Sequence, residues 1–574
     1  MTYKRFQALH LHLFYCVVTF ILGFLMDSEE SSSISCFEEL SNEIFYEIFE
    51  YLDICDAYEA FYDLNNCFHN IFIQLTLPYK IYVNLISKRD FEKHCKYIRS
   101  ADVDRIISLH LLNWICVNNY FSLVCIDSSF IRLESLVLNG MKSEKLIPLL
   151  KNFSLLPRLF SLSLTTIGSI QDPNAIHRLL FALPVLKYCK TMFSWQKEKL
   201  SLSSSTGEYS KIEYFITNCS YNFKKLSMLV SYMPYLTHLS CDLYSSSLSN
   251  FDVLRPITLN NLKYFNVKHS ILFNEFEVLI SNMYHQIEVL RISSKSNRDC
   301  LDSNRWERLI SNHFPRLRKF DFEHIVEITN GDTYYSLIDG FNSLFWIERQ
   351  WFFTPQYYQY KDTYWLLFYS INQTCLSENF VSDHVHYNLL DMNKTKIDLY
   401  CSKLILSSKN NHTKKLVYDK INGTMSSEQL NILTVVNNNF QMEEVQKLLR
   451  SSSSLETITL SIYSSNILSS LNENNNSVQH IIIRKHLTLE DIKQLISKYP
   501  YLKSIEINIY ENDLELIIRF IFKRIMNKNC SLYMLALRDT HSVIIKRLEK
   551  IIEREELIHN YSIEYISDTA YLWW

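Results

Sequence analysis

Glycine is nearly missing from this chain, with 7 residues in 574. A loop that cradles phosphate needs backbone that can approach its ligand without a Cβ in the way, and neither GxGxxG nor GxxxxGKS/T occurs. That excludes the common nucleotide-binding enzymes. An excess of basic charge is missing too, with 58 Lys+Arg against 61 Asp+Glu and a pI near 6.7. The chain as a whole therefore lacks the surplus that neutralises a nucleic-acid backbone. The 14 cysteines, spread from Cys16 to Cys530, include no CxxC pair, which speaks against zinc ribbons and redox motifs. Most are expected to be reduced, buried thiols.

No HExxH and no GxSxG frames a catalytic group. Carboxylate pairs such as Glu555 and Glu556 sit in a run of mixed charge, Ile544 to Ile558, that reads as a helix with a solvated face. SDHVHY holds Asp383, His384 and His386, an alternation able to bind one metal on a strand, but in this setting it reads as a polar loop. No catalytic, cofactor-binding or metal-binding residue is assigned.

What is present is a folding composition, 47% hydrophobic and 21% charged. Near the start, Leu13 to Met26 form an apolar run of 14 residues after Lys4 and Arg5, short of the roughly 20 that a spanning helix wants. An extension upstream of a soluble start at Met26 is the preferred reading, which implies a cytoplasmic or nuclear protein. A cleaved signal and a membrane tether formed by residues 13–26 stay open.

The segment 34–80 carries more apolar side chains than so short a stretch can enclose. A helix starting at Ser41 and running to Leu52, at about 100° per residue, puts Ile44, Phe45, Ile48, Phe49, Tyr51 and Leu52 on an arc of about 160°, with Glu43, Glu47 and Glu50 opposite. Something must cover two sides of it. Two further helices fit Asp56 to Leu64 and Asn65 to Leu75. Three short helices in roughly 40 residues bury too little to be stable alone, and docking on a partner would relieve that.

Along the rest of the chain an L-x-x-L-x-L pattern recurs, with Ile, Phe, Val or Cys permitted and Thr closing two copies. Its copies start at Leu133, Leu159, Leu186, Ile212, Leu236, Leu262, Ile287 and Leu317, then at Leu455, Val478, Leu502 and Leu532. Steps of 23 to 30 residues separate neighbours within each set. LPRL, MPYL, FPRL and YPYL, from Leu156, Met233, Phe314 and Tyr499, run into the pattern as a helix end and turn would. A unit of this size cannot hide its own apolar face, so neighbours are expected to stack, with a parallel sheet on one side and helices such as Asn274 to Met283 or Thr488 to Ser497 on the other. Between Glu323 and Arg450 the period fades. There Phe341 to Ile371 is dense in aromatics and reads as β-rich, and Asn372 to about Asn411 reads as polar loop.

These features carry a family resemblance. The segment Leu40 to Ile44, LSNEI, resembles the LPxE opening of an F-box, with Ile48, Phe49, Tyr51, Leu52 and Asp56 continuing it. Ser41 replaces the usual Pro, and Phe68 stands where a Trp is usual. The recurring pattern is similar to leucine-rich repeats, although the Asn that normally follows it is missing: Ile167, Ser270 and Tyr510 stand in its place. Without that ladder each turn is expected to lean on packing and the repeats to be irregular.

The expected fold is therefore α/β, a short three-helix F-box followed by an irregular leucine-rich solenoid. The divisions are 1–33 apolar segment and linker, 34–80 F-box, 81–322 repeats, 323–450 degenerate repeats or insertion, and 451–574 repeats. The resemblance implies a non-catalytic substrate receptor of a cullin-based ubiquitin ligase, whose partners are an F-box-binding adaptor, the cullin scaffold and a target protein. Leu40, Ile44, Ile48, Phe49 and Leu52 are the adaptor-facing candidates. In each repeat the residues flanking the second apolar position point out of the sheet, so the target-reading candidates are Tyr264, Asn266, Val289, Arg291, Lys319, Asp321, Ser504 and Glu506. The alternative is a leucine-rich scaffold without a ubiquitin role.

Overall fold

The computed structural model describes residues 79–84, 86–100, 103–194, 209–244, 259, 261–281, 286–295, 297–328, 335–360, 363–370, 403–406, 431–435, 454–461, 477–526, 531–555, 558, 560–566 and 568–574, with positions 57, 64–66 and 70. The adaptor-facing candidates Leu40, Ile44, Ile48, Phe49 and Leu52 lie outside the described residues, as do the apolar run 13–26 and the group Asp383, His384 and His386. Among the described residues no helix is long and apolar enough to cross a membrane.

The fold is α/β, and the described residues divide into two compact units, one within 1–85 and 91–322, the other within 86–90 and 323–574. In the first, ten strands follow one another: β1 (Tyr79–Val83), β2 (Ile106–Leu111), β3 (Ser135–Lys142), β4 (Ser161–Ser169), β5 (Tyr188–Ser194), β6 (Tyr214–Tyr221), β7 (His238–Tyr244), β8 (Tyr264–Ser270), β9 (Val289–Lys295) and β10 (Lys319–Ile328), of which β10 continues into the second unit. They lie side by side in chain order, and pairing from β1 through β9 is parallel. Parallel neighbours need a crossover, and helices supply most of them. These are α1 (Lys88–Ser100), α2 (Trp114–Leu123), α3 (Ser143–Phe153), α4 (Pro173–Phe181), α5 (Phe223–Val230), α6 (Phe273–Ser281) and α7 (Ser303–His313).

The cadence of the sequence is the cadence of the strands. Patterns starting at Leu133, Leu159, Leu186, Ile212, Leu236, Leu262, Ile287 and Leu317 are each followed, two residues on, by the first residue of β3 through β10. The apolar positions of the pattern supply the core: Leu159, Leu162 and Leu164 are buried, as are Leu236, Leu239 and Cys241. Each such Leu contributes roughly 1.5–3 kcal/mol of burial. Helices meet that buried face, with Phe276 of α6 stacked on His269 at 4.9 Å and Trp306 of α7 against Phe320 and Phe322 at 5.3 and 5.4 Å.

Local chemistry sets the boundaries of the elements. Asp172, Asn222 and Asp302 cap α4, α5 and α7 by accepting from the backbone of Ala175, Lys225 and Asn304. Helix α6 begins at Phe273, one residue ahead of the expected start at Asn274. Proline marks the way out of the helix layer. In MPYL, FPRL and YPYL the carbonyl of Met233, Phe314 or Tyr499 accepts from the amide three residues on, which puts Pro at the second position of a β-turn.

The missing Asn ladder is replaced by backbone. Just ahead of each strand one carbonyl accepts two amides from the next repeat: Glu134 O takes Phe160 N and Ser161 N, both at 2.9 Å, and Phe160 O takes Lys187 N and Tyr188 N, both at 2.9 Å. The series continues through Lys187, Glu213, Thr237, Lys263 and Glu288. Stacking therefore does not rest on packing alone. Register shifts interrupt the β3/β4, β4/β5 and β6/β7 pairings.

In the second unit α8 (Tyr335–Asp339) and α9 (Leu344–Glu348) precede an antiparallel hairpin, β11 (Phe353–Tyr360) and β12 (Thr363–Ser370), whose β12 pairs with Glu323–Ile328 of β10. The aromatic-rich stretch is thus part helix and part hairpin. A second sheet runs through β13 (Lys403–Leu406), β14 (Ile432–Val435), β15 (Thr457–Leu460), β16 (His480–Leu487), β17 (Ser504–Ile509) and β18 (Met534–Arg538), all parallel. It closes with β20 (Thr569–Trp573) and β19 (Ser562–Ile566), both antiparallel. Strand β13 corrects the expectation of loop from Asn372 to Asn411. Strands β15 to β18 again begin two residues after Leu455, Val478, Leu502 and Leu532.

Helices α10 (Leu489–Lys498), α11 (Leu514–Met526) and α12 (Val543–Arg554) pack on this sheet. Thr488 starts α10 with a capping box, its side chain accepting from Asp491 N while the Asp491 carboxylate accepts from Thr488 N. Trp573 and Trp574 tie the last residues of the chain to earlier segments. The indole of Trp573 donates to Ile86 O at 2.7 Å, and Lys88 N donates to Trp574 O at 2.9 Å. The indole of Trp574 donates to Leu532 O at 3.0 Å while its ring meets Phe522 at 5.1 Å.

Candidate interaction surface

Alternation along each strand of the first unit sends one set of side chains into the helix layer and the other set to the opposite face of the sheet. Register then lines up equivalent positions. Tyr188 pairs with Tyr214, Tyr214 with His238, His238 with Tyr264, and Tyr264 with Val289. These five are half-buried.

The aromatic members form a ladder. Ring centroids are 6.2 Å apart for Tyr188 and Tyr214, 4.1 Å for Tyr214 and His238, and 5.2 Å for His238 and Tyr264, the last two pairs stacked with interplanar angles of 22° and 18°. The guanidinium of Arg291 lies 5.5 Å from the Tyr264 ring and closes the series. His238 is held at Nδ1 by the Thr237 hydroxyl at 2.9 Å. Burial, and then the charge of Lys263, hold its pKa below the ordinary imidazole value, so at neutral pH the ladder is uncharged there.

Six of the eight target-reading candidates come together on this face. Asn266 donates to Ser240 Oγ at 3.0 Å, which fixes its amide toward the neighbouring strand. Arg291 Nε donates to Asp321 Oδ2 at 2.8 Å, and Lys319 Nζ lies 3.6 Å from the same oxygen. Asp321 is 2% exposed. Of the six it is the one withdrawn from solvent, because two cations draw it into the sheet surface.

Ser504 and Glu506 belong to β17 in the second unit. Ser504 is buried and hydrogen-bonded to His480 Nδ1 at 2.6 Å, and Glu506 accepts from Arg538. Both are committed to their neighbours, and the Arg538 partner was not foreseen. Sequence reasoning also passed over Tyr188, Tyr214 and His238. The signal was in the repeats themselves, since YCKT, YFIT, HLSC and YFNV place a ring at the same position four times running.

Burial pushes the thiols of Cys189, Cys219 and Cys300 up to about 12, and that of Cys241 further in the same direction. All seven described cysteines are free, six of them buried, as a set of reduced core thiols would be. Among the described residues no group of three His, Cys, Asp or Glu is placed to hold a metal ion. His110 bridges the hydroxyls of Ser108 and Ser135, each at 3.1 Å, but burial lowers its pKa to about 4, which makes it a poor general base.

No protein-family model matches the chain, and no curated protein matches it significantly.

Proposed function

We infer that this is a non-catalytic protein-recognition subunit, in which an F-box within residues 34–80 docks an adaptor and a leucine-rich solenoid presents a sheet face to a target. By the resemblance of Leu40 to Ile44 and the helix after it, the assembly is a cullin-based ubiquitin ligase, and this chain's share in catalysis is proximity. One observation carries the solenoid half of the reading: twelve strands begin two residues after twelve copies of one apolar pattern, and within each sheet those strands neighbour one another in chain order. Such an arrangement exposes a continuous sheet face, the property that suits repeat proteins to binding.

The adaptor half rests on the sequence, and the experiment addresses it directly. Purified F-box-binding adaptor immobilised on resin retains the wild-type chain, and an Ile44→Asp, Leu52→Asp double variant passes through. Failure of the wild type to be retained overturns the ligase assignment and leaves the scaffold reading.

A further inference from the structure

The open face of the first unit's sheet differs in charge from the chain that carries it. From β5 to the first half of β10, through Phe322, it bears five cations, Lys190, Lys268, Arg291, Lys295 and Lys319, against two carboxylates, Asp242 and Asp321. The chain overall is formally −3. Lys268 and Lys295 are exposed. Two of the three lysines on β5, β8 and β9 sit between buried residues of the opposite face, Lys190 between Cys189 and Thr191 and Lys268 between Val267 and His269, and Lys295 directly follows the buried Ser294.

A basic face with aromatics is the usual mark of a single-strand nucleic-acid surface, where bases stack on ring faces. Here those faces are taken. Tyr214, His238 and Tyr264 cover one another at 4.1 and 5.2 Å, and Arg291 covers the outer side of Tyr264. A stack whose ring faces are covered can offer a ligand only ring edge and phenolic hydroxyl. The edge is the positive end of the ring quadrupole, and the hydroxyl donates to anions. Edges, hydroxyls and lysines then all favour the same ligand chemistry, a carboxylate.

We propose that the sheet face of β5–β9, built on the Tyr214–His238–Tyr264 stack and flanked by Lys190, Lys268 and Lys295, binds an acidic segment of a protein partner rich in Asp and Glu. This deepens the reading of the sheet as the target-capture face and rests on it. The adaptor plays no part, so a failure here shows in peptide binding, whereas a failure of the ligase reading shows in adaptor retention.

The test is fluorescence anisotropy with the full chain and three fluorescein-labelled probes: a peptide alternating Glu and Ser, the same peptide with Lys for Glu, and oligouridylate. The acidic peptide binds at least about tenfold more tightly than either competitor and weakens as salt rises. A Lys190→Glu, Lys268→Glu double variant loses about tenfold of that affinity, and Lys295→Glu alone loses a smaller part. Both variants change charge outside the buried face, and their unfolding midpoints serve as the control. Equal binding of the two peptides, tighter binding of uridylate, or undiminished binding by the reversed variants each overturns the proposal.

Discussion

Arg291 and Asp321 sit on neighbouring strands with Nε 2.8 Å from Oδ2, the carboxylate side chain 3% exposed and the guanidinium 22%. A buried carboxylate with its cation removed is costly, whereas removing both partners is much less so. Arg291→Met is therefore expected to lower stability by about 2–4 kcal/mol, since Lys319 at 3.6 Å compensates only in part. The Arg291→Met, Asp321→Leu double variant recovers most of the loss. Urea unfolding of Arg291→Met, Asp321→Leu and the double variant checks both statements, and additive losses would contradict them.

Two buried histidines, His177 and His269, and the half-buried His110 make the fold sensitive to acid. Burial is the first cause in each case, and it lowers His110, His177 and His269 from 6.5 to about 4. The unfolded chain takes up a proton on each near its ordinary pKa while the folded chain resists until much lower pH. Stability therefore falls as pH drops from about 6.5 toward 4. For His177, whose Nδ1 donates to Pro173 O at 2.7 Å and whose Nε2 lies 3.5 Å from the Tyr221 hydroxyl, the loss over that window is on the order of 3 kcal/mol. His177→Gln is expected to flatten the pH dependence of the urea midpoint. An unchanged slope would assign the acid sensitivity elsewhere.

Gly140 and Gly168 both have positive φ, +87° and +82°, yet they differ in surroundings. A Cβ on Gly140 would collide with the Cβ of Trp114, while one on Gly168 would meet Ser143 Oγ at an ordinary 3.4 Å. Gly140→Ala is expected to cost about 2–4 kcal/mol and Gly168→Ala about 1 kcal/mol. Thermal denaturation of the pair gives the ranking, and the reverse order would refute the account.

Thiol labelling provides a quick structural check. Among the described cysteines Cys125 alone is exposed, while Cys189, Cys219 and Cys300 are buried with thiols raised to about 12. Brief iodoacetamide treatment of the native chain at mildly alkaline pH should modify Cys125 and leave the other three until denaturant is added. Peptide mass spectrometry reads the pattern directly.

The strand cadence was legible because the apolar spacing that buries a strand is a property of the sequence alone. Among the parallel strands, four escaped notice for particular reasons. IISLHL from Ile106 fits the pattern 27 residues before Leu133, and in the sequence ahead of β1 Pro78 stands where the pattern would have its first apolar residue. CSKLIL from Cys401 and LNILTV from Leu430 fit as well and lead into β13 and β14, but their polar surroundings hid them. The ring ladder needed register, which one strand's sequence does not contain: two tyrosines and a histidine become a stack only when β6, β7 and β8 align. The ion pairs of Asp321 and Glu506 are likewise relations between strands, about 30 residues apart in sequence.

The indole of Trp573 reaches the Ile86 carbonyl across 487 positions. During synthesis the stretch Ile86–Asp90 leaves the ribosome hundreds of residues ahead of the groups that hold it, and it must wait with its carbonyl unmet. The second unit cannot complete its folding cooperatively until translation has passed Trp573. A nascent chain halted earlier would keep that stretch open to proteases and chaperones, and the interval would lengthen with any slowing of the ribosome between them.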